Sequence, residues 1–275
     1  MGLRVHENVV ARSVHTVLAT KTERLGRSIT ELSSGLRINR SADDAAGQAI
    51  AEKFQGQVRG LGQATGNAQD GVNLVQTAEA SMGEVQEILQ RMRELAVQAA
   101  NDTLTGSDRD HVTQELHRLS DEITRIGDAA QYNTKKLLDG SMASGLTLQV
   151  GANAGEIVQI RLDTISAANL GVLTTQLSVD NAATASATIS RLDEALDKLS
   201  RFRGNAGSTI NRLEHSISDL GVMYAKMSSS GSRITDLDMA SAASRLATNQ
   251  LLTQSSTAML AQANAQPQSV LALLR

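Results

Sequence analysis

From residue 189 the apolar positions fall at Ile189, Leu192, Leu196 and Leu199, then, past Arg203, at Ala206, Ile210, Leu213, Ile217, Leu220, Tyr224 and Met227. Steps of three and four alternate, with one charge interrupting them. A period of about 3.5 residues keeps a single stripe of a helix turned toward a partner helix, so this stretch needs another helix to pack against. At about 1.5 Å per residue the seam is roughly 60 Å long. The same pattern recurs at Val75, Ala78, Met82, Val85, Leu89, Met92, Ala96 and Ala99, and again at Val112, Leu116, Leu119, Ile123, Ile126 and Ala130. A further helix is predicted over residues 8–36, with Val14, Leu18, Leu25, Ile29, Leu32 and Leu36 as its seam. Short breaks between such helices favour antiparallel neighbours.

Composition agrees with slender helices. The aromatic residues are Phe54, Phe202, Tyr132 and Tyr224, with no tryptophan, and Pro267 is the single proline. A core without rings must be thin and aliphatic, and the commonest helix breaker is nearly missing. There is no cysteine, which excludes disulfides and thiol chemistry. No run approaches the ~18 apolar residues of a membrane span. The start, Met1-Gly2-Leu3-Arg4-Val5-His6, lacks the apolar core of a secretory leader, so the expected route out of a cell is one without a cleaved signal. Residues 1–40 carry seven Lys or Arg and three acids, and residues 236–275 carry two of each, so the total of −3 leaves −7 for residues 41–235. The basic amino-terminal arm has no aromatic side chains for base stacking and reads as a solvated helix face, with no nucleic acid as partner.

Between the seams the punctuation is specific. Ser33-Ser34-Gly35 predicts a helix end, Ser41-Ala42-Asp43-Asp44 has the spacing of a capping box opening the next helix, and Ser107-Asp108-Arg109-Asp110 is placed to cap the third. Leu146, Leu148 and Val150 alternate with polar residues, as do Val158, Ile160 and Leu162 across Gly151–Gly155, so one β-hairpin is predicted near residues 145–163. The Ala/Thr/Ser-rich stretch 166–188 reads as a loose connector. From Met239 on there is no acid and only Arg245 and Arg275, yet Leu246, Leu251, Leu252, Met259, Leu260, Val270, Leu271, Leu273 and Leu274 crowd the tail. An isolated helix of that kind is marginal in water; it should order against the amino-terminal helix and against other copies. The fold class is therefore mainly α, a long antiparallel helical bundle or coiled coil with one small hairpin and paired terminal helices.

No catalytic, cofactor-binding or metal-binding set emerges. His6, His15, His111, His117 and His215 have no ligand spacing. Gly60-Leu61-Gly62-Gln63-Ala64-Thr65-Gly66 misses the dinucleotide pattern and reads as helix-packing glycines. Pairs such as Asp193-Glu194 are solvated faces.

Several long motifs in order make the chain resemble bacterial flagellin. They are Glu31-Leu-Ser-Ser-Gly-Leu-Arg-Ile-Asn39, Asp43-Asp-Ala-Ala-Gly-Gln-Ala-Ile-Ala51, Gln90-Arg-Met-Arg-Glu-Leu-Ala-Val-Gln98, Leu260-Ala-Gln-Ala-Asn264 and Val270-Leu-Ala-Leu-Leu-Arg275. The resemblance implies a non-enzymatic structural subunit that polymerises head-to-tail into an extracellular flagellar filament. In that filament residues 1–40 and 236–275 form the inner core and residues 41–235 a helical shell. Filament-core assembly residues are then Leu18, Leu25, Leu32, Leu36, Leu251, Leu260, Leu271, Leu274 and Arg275. Larger flagellins insert outer domains in the connector, so a connector of this length implies a short form lacking them. The implied partners are further copies of the chain, an export chaperone, the filament cap and hook–filament junction proteins. In many flagellins the second-helix motif also faces Toll-like receptor 5; the matching receptor or subunit contacts are Gln90, Arg91, Leu95, Gln98 and Glu115. The competing readings are a hook–filament junction protein and a secreted soluble ligand or adhesin.

Overall fold

The computed structural model describes residues 7–273, with side chains through Gln266. Two compact units are present, one made of the residues up to Gly56 with those from Lys226 onward, the other of Gln57–Ala225.

In the terminal unit, helix α1 (Val9–Ser34) starts at Asn8, whose side chain accepts from the Ala11 amide at 3.0 Å. It stops at Gly35, which takes a left-handed φ of 71° and returns its N–H to the Glu31 carbonyl. Helix α6 (Met239–Leu273) starts at Asp238, which accepts from the Ala240 and Ser241 amides. The two helices pack together and run antiparallel. Leu36 bridges Asp236, Ser28 meets Asn249, and the Asn8 side chain donates to the Ala263 carbonyl at 2.8 Å. Helix α2 (Ala45–Ala99) begins in this unit. The predicted capping box at Ser41 is corrected: Asp44 closes the helix start by accepting from the Gly47 amide at 2.8 Å, while Asp43 folds back onto the Asn39 and Arg40 amides. Ile38 is buried against Gly47, where a Cβ would lie 2.8 Å from its Cδ1. Of the small residues after Asp44 only Gly47 permits this close approach; Ala45, Ala46 and Ala49 are exposed.

The second unit is built on α2, α3 (Gly106–Ala129) and α5 (Ala182–Thr235). All eight predicted seam positions of α2, from Val75 to Ala99, are fully buried. On α3, Leu116 and Ile123 are fully buried and Val112, Leu119 and Ile126 flank them; on α5, Leu192, Leu199 and Leu213 are fully buried. The α5 seam runs out earlier than its sequence pattern, because Tyr224 is 46% exposed. Arg203 interrupts the seam and is answered from α2: one guanidinium nitrogen is 3.5 Å from Glu79 and another donates to Gln86. A second ion pair, Arg93 to Asp193 at 2.6 Å, sets α2 and α5 antiparallel. Helix α3 is capped by Thr105, not Ser107. Thr105 accepts from the Asp108 amide; the Asp108 carboxyl in turn accepts from the Thr105 hydroxyl and from the Thr105 amide, and these two donations hold it below the ordinary aspartate range.

Two hairpins stand where one was expected. The small pair β1 (Gln131–Tyr132) and β2 (Lys135–Lys136) turns through Asn133 and Thr134, both at positive φ. The expected one is β3 (Leu146–Gln149) with β4 (Ile157–Ile160), in register Leu146 to Ile160 and Leu148 to Val158. Its return chain crosses α3 so closely that a Cβ on Gly127 would lie 2.0 Å from the Ile165 carbonyl oxygen. The glycines at 60–66 are also corrected: Gly60 makes room for Ala152 of the hairpin loop, while Gly62 and Gly66 face open space.

Residues 166–188 are not loose. They hold the short helix α4 (Ala167–Leu170) and bury Leu170, Val172, Leu177 and Val179 in the core. Their backbone carbonyls are met by side chains: Ser120 donates to Val172 at 2.7 Å, Thr188 to Ser178 at 2.9 Å, and His117 lies 3.0 Å from the Leu177 oxygen. A segment with few apolar residues is therefore pinned from both sides, with these buried backbone carbonyls paired.

Candidate assembly surface

The α1/α6 pair buries a narrow stripe and leaves a broad one open. Toward each other turn Val14, Leu18, Lys21, Leu25, Ser28 and Leu32 of α1, and Ala242, Leu246, Asn249, Thr253, Ser256, Leu260 and Ala263 of α6. The spacing alternates three and four on both helices, so this is a coiled-coil seam, but a third or more of it is polar or small. The hydrogen bond from the Asn249 side chain to the Ser28 hydroxyl, 3.1 Å, lies inside it. The other faces carry Val10 at 50% exposure, Val17 at 49%, Leu251 at 67% and Met259 at 58%. Burying a side chain of that size contributes about 1.5–3 kcal/mol. Left in water, such a patch marks an interaction surface.

The predicted filament-core residues therefore divide. Leu18, Leu25, Leu32 and Leu260 fill the seam within the chain, whereas Leu251 points outward. Leu36 lies past the helix end, 38% exposed, and Ile29, read as a seam residue, is 51% exposed because the stripe passes through Ser28 instead. The Leu271 side chain, Leu274 and Arg275 lie outside the described residues. Sequence reasoning missed Lys21, Ser28, Asn249, Thr253 and Ser256 because a search for apolar periodicity passes over polar members. Their own three–four spacing was the signal available.

On the second unit, Gln90, Arg91 and Gln98 of α2 and Glu115 of α3 are exposed. Arg91 pairs with Glu94 at 2.9 Å, and Glu115 is 3.9 Å from Arg118. Leu95 is corrected as a contact residue: at 7% exposure it belongs to the core and supports this face from beneath. Among the described residues no cluster of His, Cys, Asp and Glu could hold a metal ion, and no helix is long and apolar enough to cross a membrane.

Residues 5–143 match the family model of the bacterial flagellin N-terminal helical region, and residues 189–274 that of the C-terminal helical region. The chain belongs to the bacterial flagellin family. It is 42% identical to a flagellin of Halalkalibacterium halodurans over 271 residues, 98% of this chain and 99% of that one. It is 38% identical to the flagellar filament 33 kDa core protein of Treponema phagedenis, again over 98% of this chain and 99% of the other. The two alignments span 271 and 284 positions against the 275 residues of this chain, so neither relative carries a large insertion that this chain lacks. The fold alone is shared with a putative flagellar hook-associated protein from Vibrio parahaemolyticus, at 16% identity and a TM-score of 0.59, covering 70% of this chain and all of that one.

Proposed function

We propose that the chain is the repeating subunit of an extracellular flagellar filament used for swimming. The observation that carries this reading is the terminal helix pair. It is held by a partly polar seam and exposes apolar side chains that only a further protein surface can cover, in a chain whose two ends both match the family. A filament requires contacts between unlike faces, repeated without closure. Residues 1–40 and 236–275 then line the filament's inner core, and residues 41–235 form the surrounding shell. Residues 166–188 occupy the place where larger flagellins carry outer domains. An export chaperone, the filament cap and junction proteins are the further partners this role calls for. Purified full-length protein salted out of solution should form long uniform filaments by electron microscopy. Short closed oligomers would favour a junction protein, and persistent monomers a soluble ligand.

A host receptor of the Toll-like receptor 5 class has a candidate landing site in the exposed set Gln90, Arg91, Gln98 and Glu115. Arginine is common at the centre of protein interfaces. Arg91→Ala should weaken binding of the monomer to the receptor ectodomain by about tenfold or more. Unchanged affinity would remove Arg91 from that surface.

A further inference from the structure

Not every exposed part of the terminal helix pair is apolar. A notch of about 540 Å³ opens beside the seam, lined by Arg24, Arg27, Ser28 and Glu31 of α1 and by Arg245 and Asn249 of α6, among others. Its floor is the Asn249–Ser28 hydrogen bond. Three guanidinium groups thus meet one carboxylate. Glu31 is 4.0 Å from Arg245 and so engages it weakly, and Arg27 is 3.5 Å from Glu23, which is not among the lining residues. Arg24 has no ion-pair partner among the described residues.

In the free chain these arginines are exposed enough for water to screen them: the side chains of Arg27 and Arg245 are 49% and 57% exposed. Covering the neighbouring apolar faces changes that. Arginine keeps its charge at any physiological pH, and a charge taken out of water without a partner is strongly destabilising. The covering surface must bring an acid. The chain has a supply, since residues 41–235 carry a net −7 against +4 in residues 1–40.

We propose that this notch receives a carboxylate from a second copy of the chain, held by Arg24 and Arg245 in charge-assisted hydrogen bonds. The proposal rests on the filament reading and adds an ionic contact to it. The notch is open and its arginines are mobile-length side chains without buried donors, which suits a side chain presented by a docked surface better than a caged free ion.

The test uses the full-length protein. Arg24→Gln combined with Arg245→Gln should leave monomer helicity unchanged and raise the critical concentration for polymerisation by at least about tenfold, because the entering carboxylate then meets no cation from either position. The Arg24→Lys variant, polymerised from mixed heavy- and light-isotope chains and treated with a zero-length carboxyl–amine cross-linker, should give a mixed-isotope cross-link from position 24. Unimpaired polymerisation of the double variant, or cross-links confined within single chains, overturns the proposal. So does a rise in monomer melting temperature with inorganic phosphate, at constant ionic strength, that the double variant loses; the notch would then hold a free anion. Failure of the unaltered chain to polymerise would instead count against the filament reading itself.

Discussion

Removal of residues 240–275 leaves a folded monomer that forms no filaments under conditions in which the full chain does. The core of the second unit, from Val72 to Leu213, contains no residue of that segment. The unit should therefore keep its cooperative melting. What is lost is α6, with its outward Leu251 and Met259 and its inward Ala242, Leu246, Leu260 and Ala263. Helix α1 then has no partner for its seam, and a single helix of 26 residues is marginal in water. Circular dichroism should show a loss of helix larger than the deleted residues account for. Fibres in the electron microscope from the truncated chain would remove the tail from the assembly mechanism.

Leu213→Asp should abolish stable folding of the second unit at ordinary temperature. Leu213 is fully buried, with its Cδ1 3.3 Å from where a Cβ on Gly71 would stand. Truncating such a leucine costs about 2–5 kcal/mol, and an unpaired buried carboxylate adds several more. A domain has about 5–15 kcal/mol to lose. The control is Tyr224→Asp on the same helix, 46% exposed, where a change within about 0.5 kcal/mol is expected. Denaturant midpoints for the two variants measure the difference. Similar midpoints would show that the seam does not follow the stripe through Leu213.

The long seams were legible because a helix packed along its whole length leaves its period in the sequence. The α2 stripe from Val75 to Ala99 needed no tertiary information. Helix starts were less legible, since Ser41, Asp44, Thr105 and Ser107 all carry side chains able to cap a helix, and the fold uses Asp44 and Thr105. Residues 166–188 read as loose because four buried aliphatic residues are scattered among alanines, threonines and serines, and two of the contacts that hold them come from His117 and Ser120 on α3, remote in sequence. The Asn133–Thr134 turn escaped notice because its flanking strands are two residues each, too short for alternation to register. The assembly surface was half visible. Apolar content announced that the ends associate, but the partition of leucines between the chain's own seam and the outer faces depends on which polar residues, such as Ser28 and Asn249, share the inner stripe.

Arg203 has a consequence for the polymer as a whole. A purely aliphatic stripe could slide along its neighbour by one heptad, about 10 Å, at little cost in contacts. Its two anchors, Glu79 and Gln86, stand one heptad apart, so in that event the guanidinium would keep only one of them and exchange the other for Val72 or for the like-charged Arg93. It acts as a peg in an oily zip and allows a single stop. In a molecule stacked on copies of itself, any error in the length of one brick is added at every course, so a device that makes all bricks the same height matters more than its own contribution to stability.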